Sequence, residues 1–134
     1  SGHSQLWKHT NKSKSLEEIW SGKSQAYMSS PVVVDGYIYL HLRNQRIACI
    51  HLETGEESWR TAPYGKYQSM AGLGDKILAL DESGELLLIS ANPDEFQLLD
   101  TRRVAENDTW GYLAVSGNQI FIRRLDGLAA YTWK

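Results

Sequence analysis

Three stretches of the chain follow one plan, and that repetition limits the fold more than any other feature. The first stretch runs Ser30-Pro31-Val32-Val33-Val34-Asp35-Gly36-Tyr37-Ile38-Tyr39-Leu40 and continues with Arg46-Ile47-Ala48-Cys49-Ile50. The second has Ser69-Met70-Ala71-Gly72-Leu73-Gly74-Asp75-Lys76-Ile77-Leu78-Ala79-Leu80, then Ser83-Gly84-Glu85-Leu86-Leu87-Leu88-Ile89. The third has Leu113-Ala114-Val115-Ser116-Gly117-Asn118-Gln119-Ile120-Phe121-Ile122, then Asp126-Gly127-Leu128-Ala129-Ala130-Tyr131. Ile38, Ile77 and Ile120 hold the same place, 39 and then 43 residues apart.

The apolar runs are short, rich in β-branched and aromatic residues, and bounded by turn residues, so they read as strands. No 3.6-residue stripe crosses them, which removes a helical repeat of similar length. Asp35-Gly36, Gly74-Asp75 and Gly117-Asn118 suit hairpin turns that need positive φ. Ser83-Gly84 and Asp126-Gly127 mark the next turn of their repeats. A period near 40 built from short strands is that of a four-stranded propeller blade.

The expected class is therefore all-β, a partial β-propeller of about three antiparallel blades. The domain reading gives a tag or flexible leader over 1–15 and an outer strand over 16–20. A blade follows over 24–61, another over 65–104, and an incomplete blade over 107–134. Within these, strands are expected at 30–34, 37–42, 46–51 and 56–60, then 67–72, 76–80, 85–90 and 95–99, then 110–115, 119–123 and 127–132. Twelve strands result, and the last blade lacks its fourth. Three blades cannot close a ring, since propellers have about four to eight. Left open, they expose strand edges and apolar flanks. Two arrangements answer this. The chain is the C-terminal part of a larger propeller, or two copies form a six-bladed ring in which residues 16–20 of each complete the third blade of the other. An open array is the third.

The segment Ile47-Ala48-Cys49-Ile50-His51-Leu52-Glu53-Thr54-Gly55-Glu56-Glu57-Ser58-Trp59 resembles the signature repeat of pyrroloquinoline-quinone (PQQ)-like propellers. Thr54, Gly55 and Trp59 match its pattern. Cys49 replaces a usual alanine, and His51 stands at a usual aspartate. The resemblance runs from about residue 20 to 134, but only the first blade matches well; the later ones keep the spacing and lose the tryptophan. It implies that Thr54 and Gly55 shape a turn and that Trp59 stacks between blades against a neighbouring turn. Trp20, 39 residues before Trp59, takes the same place in the leftover strand. It also implies a bacterial protein, a periplasmic or other extracytoplasmic location, and the final blade of a longer parent.

Residue chemistry points away from catalysis. The net charge of −2 offers no field for a nucleic-acid backbone. No apolar run reaches the roughly 18–20 residues of a membrane span. One cysteine, Cys49, permits no internal disulfide. Family members that bind the quinone do so over about eight blades, with calcium and often a vicinal cysteine pair; the expectation here is no cofactor. Neither a calcium loop nor a nucleophile elbow occurs. His41 and His51 fall on adjacent strands within reach of each other, yet no carboxylate or thiol stands at ligand spacing, so no metal is expected.

The expected function is thus a non-catalytic scaffold or a module that binds a protein or ligand. The alternatives are part of a quinone-dependent oxidoreductase, or a sensor or carbohydrate-binding propeller. Tyr27, Tyr67, Trp110 and Tyr112, with Tyr64, lie near the starts of inner strands. They pack blade against blade or, with Arg123 and Arg124, line a recognition surface at one mouth. The expected partner is another copy that completes the third blade, the remaining blades of a parent, or a further protein.

Overall fold

The computed structural model describes residues 4–10, 15–23, 30–64, 69–104, 113–124 and 127–133. These form thirteen strands and no helix: β1 (Ser4–Thr10), β2 (Ser15–Gly22), β3 (Val32–Val34), β4 (Tyr37–His41), β5 (Ile47–His51), β6 (Glu57–Arg60), β7 (Ser69–Leu73), β8 (Lys76–Leu80), β9 (Glu85–Ser90), β10 (Leu98–Arg103), β11 (Leu113–Ser116), β12 (Gln119–Arg124) and β13 (Gly127–Thr132). Strands β3 to β6 make one antiparallel meander and β7 to β10 a second. A third sheet has only β11, β12 and β13, and β1 pairs with β2 alone. The fold is all-β, an open part of a β-propeller.

The apolar runs are continuous because both faces of the middle sheet are covered. Alternate residues of a strand point to opposite faces. On β8, Ile77 and Ala79 enter a core shared with Tyr39, Ile47 and Cys49 of the first blade. Their neighbours Leu78 and Leu80 enter a second core with Leu113, Ile120 and Ile122 of the third. On β5, Ala48 and Ile50 turn the other way, to a smaller core with Leu40, Leu42 and Trp20.

The structure differs from expectation at the N-terminus. Residues 4–10, read as leader, form β1 and pair along β2. No apolar alternation marks this strand: Gln5 and Lys8 are exposed, Leu6 is half-buried, and Trp7 is 48% exposed. Backbone pairing holds it.

That pairing has the same irregularity as the third-to-fourth strand pairs of the two full blades. Leu6 faces Trp20 and Trp7 faces Glu18, so Ile19 is the extra residue. In β5–β6, Cys49 faces Trp59 and Ile50 faces Glu57, skipping Ser58. In β9–β10, Leu88 faces Asp100 and Ile89 faces Leu98, skipping Leu99. A β-bulge recurring at one register is a built feature of the repeat. It identifies β1 and β2 as the third and fourth strands of a preceding blade.

A smaller shift affects β10, which occupies 98–103 rather than 95–99. The Asn92 side chain accepts from the Asp94 N–H at 2.9 Å, lengthening the turn. Phe96 is drawn against Trp59 instead of joining the ladder.

Candidate functional site

The signature residues meet between blades. At the end of β5 the chain turns tightly: the Gly55 N–H donates to the His51 carbonyl at 2.9 Å, and the His51 N–H to the Glu56 carbonyl at 2.8 Å. Thr54 Oγ1 accepts from the Glu56 N–H at 3.2 Å. Gly55 has φ 76°, a left-handed value that other residues adopt only at a cost. Glycine is required for a second reason. A Cβ there would sit 2.8 Å from two ring carbons of Trp20. The Trp20 indole lies on this turn and donates its Nε1–H to the Leu52 carbonyl at 2.6 Å.

Trp59 repeats the device one blade later. Its Nε1–H donates to the Asn92 carbonyl, in the turn after β9, at 2.8 Å. Its ring packs beside Tyr39 and Phe96, with centroids 5.9 and 5.6 Å away. Each tryptophan thus ties the fourth strand of one blade to a turn of the next, giving its indole the polar partner that a buried ring needs. The fourth strand of the second blade departs from this. Asp100 holds the tryptophan register, and the Arg102 guanidinium lies 4.4 Å above the centre of the Trp133 ring. A cation–π contact stands at the joint between the second and third blades.

No reactive group emerges among these residues. Cys49 is buried, and burial pushes its thiol up. Desolvation also raises the Tyr39 phenol far above its ordinary range. The two histidines do not approach: His41 faces Ile47 and His51 faces Tyr37, at opposite ends of the β4–β5 ladder. That corrects the expectation drawn from adjacent strands, which fixed neighbourhood but not register. His41 is buried, with Nε2 3.4 Å from the Tyr64 carbonyl. His51 stacks edge-on against Tyr37. No group of three or more metal-ligating side chains occurs among the described residues.

Of the expected recognition surface, Tyr27, Tyr67, Trp110 and Tyr112 lie outside the described residues. Tyr64 packs into the core between the first two blades. Arg123 is exposed near the end of β12, at the position that His41 and Leu80 hold in the earlier blades, where both are buried.

The open side of the third blade shows what internal repetition alone did not. Leu128, Leu86 and Ile47 are equivalent, facing Arg123, Leu80 and His41 in register. Ile47 is 1% exposed, Leu86 2% and Leu128 71%. Val33, on the opposite flank of the first blade, is 56% exposed, while Val115 at the same register is half-buried. Two interface positions of the repeat therefore stand in solvent.

No protein-family model and no curated protein matches the sequence. Solved structures do resemble the fold. BamB from Moraxella catarrhalis superposes with a TM-score of 0.71 at 14% identity, over 96% of this chain and 38% of that one. The computationally designed Ika8 protein gives 0.63 at 11%, over 87% of this chain and 37% of that one. Sqt1 from Saccharomyces cerevisiae gives 0.64 at 11%, over 97% and 33%. The chain spans between a third and two fifths of these structures, and at such identities the likeness is one of fold: the chain is similar to part of a β-propeller.

Proposed function

We propose that this chain is a non-catalytic segment of a PQQ-like β-propeller, serving as a scaffold or protein-binding module whose third blade is completed from outside. The observation that carries this reading is Leu128, 71% exposed where its equivalents Ile47 and Leu86 are buried. The signature residues support it, because Trp20, Gly55 and Trp59 are engaged in joining blades and Thr54 shapes the turn that seats Trp20. Exposed apolar surface of this kind is what interfaces cover. In its specific form the proposal is a six-bladed ring of two copies, the β2 of each serving as the fourth strand beside the other's β13. The extracytoplasmic location that the resemblance implies belongs to the same proposal.

Light scattering over a range of concentrations tests it. The expected mass rises from 15.2 kDa towards about twice that value. Leu128→Lys, which would bury a cation directly opposite Arg123 at the interface, holds the chain at the lower mass. A wild-type mass that stays at 15.2 kDa at every concentration refutes the ring.

A further inference from the structure

We infer that β1 occupies, within its own chain, the place that β13 of a second copy takes in the ring, so that β1 gates assembly. This rests on the ring proposed above and adds a competitor to it. Leu6, Cys49 and Leu88 all face the fourth-strand residue at the bulge, Trp20, Trp59 and Asp100 in turn. On β13 the matching residue is Ala130, since Ala130 faces Phe121 as Cys49 faces Tyr39 and Leu88 faces Leu78. Strands β1 and β13 are thus both third strands of a blade. A fourth strand sits at the outer side of its sheet and has one inner edge, and β1 already pairs along that edge of β2.

The balance favours exchange once β1 is loosened. Replacing β1 by the β13 of another copy trades one antiparallel ladder for another, so backbone hydrogen bonding changes little. Trp20 keeps its bond to the Leu52 carbonyl and its seat on Gly55, because β2 itself does not move. Burial differs between the two. Trp7 is 48% exposed and belongs to none of the three cores, so none of them is opened when β1 leaves. The arriving blade covers Leu128 and brings β11 and β12 beside Val33. A second copy covers both flanks at once and leaves no open edge.

The test uses the full chain with Lys8→Pro and His9→Pro together. Successive strand residues alternate in which edge their N–H groups face, so one of the two prolines removes a bond to β2. The midpoint of dimerisation is expected at about tenfold lower protein concentration, since both ends of the ring are released. Adding Leu128→Lys should abolish that gain. A second measurement keeps β1 intact. Ser21 takes the bulge-adjacent place that Arg60 holds opposite Ala48, so in the ring it faces Ala129 of the other copy. Ser21→Cys with Ala129→Cys should form an intermolecular disulfide on mild oxidation, because directly opposed residues bring their Cβ atoms within bonding range. A wild-type dimer that forms this disulfide while the prolines leave its midpoint unchanged or raise it overturns the gate and leaves the ring reading intact; a dimer in which the disulfide does not form overturns both. Failure of every variant to dimerise overturns both.

Discussion

Replacing Gly55 by alanine isolates the brace between the leftover strand pair and the first blade. Two costs should appear. One is conformational: at φ 76° an L side chain is disfavoured by roughly 1–2 kcal/mol. The other is steric, since the new methyl would lie 2.8 Å from Cδ2 and Cε3 of Trp20. A rigid ring seated by a hydrogen bond to Leu52 cannot slide away without losing it, at about 1 kcal/mol for the bond and a comparable sum for lost packing. The total is about 3–4 kcal/mol, large against a typical net stability of roughly 5–15 kcal/mol. Urea denaturation followed by far-ultraviolet circular dichroism measures it. A double-mutant cycle with Trp20→Ala then divides the cost. Without the ring, Gly55→Ala should cost only the conformational part, giving a coupling of about 2 kcal/mol. Additive effects would show that the ring does not require glycine there, and the brace described above would be wrong.

Two further outcomes are expected. The Cys49 thiol is raised by burial, so the unfolded chain ionises first as the solution becomes alkaline; stability from this group is intact below the ordinary cysteine range and falls as pH rises through it towards the higher folded value. Iodoacetamide at pH 8 should accordingly modify Cys49 only after denaturant is added, and rapid labelling of the native chain would contradict its burial. Arg102→Ala removes the cation over Trp133 and should cost about 0.5–1 kcal/mol, read by urea titration, with Arg102→Lys retaining part of it; an unchanged midpoint would show that the stacking contributes nothing.

Much of this fold is written in spacing. The period near 40, the turn pairs and the 39-residue interval from Trp20 to Trp59 place the blades because sheet packing repeats with the backbone. The Thr54-Gly55 turn was legible from the resemblance of its segment to a known repeat, although its contact with Trp20 comes from a tertiary approach that no sequence pattern states. Strand β1 was illegible: Gln5 to Thr10 alternate with nothing, and its order comes from pairing with β2. The start of β10 was misplaced because Asn92 extends its turn through a side-chain bond that periodicity does not register. Register also separated His41 from His51, which adjacency of strands had brought together.

The alternation along β8 works like a reading frame. Its even and odd residues are addressed to two different neighbours, Ile77 and Ala79 to one core, Leu78 and Leu80 to the other. Substitution at one residue therefore tunes one joint and spares the next. A single inserted residue would instead deliver each core the other's side chains, so this strand tolerates change of identity far better than change of length.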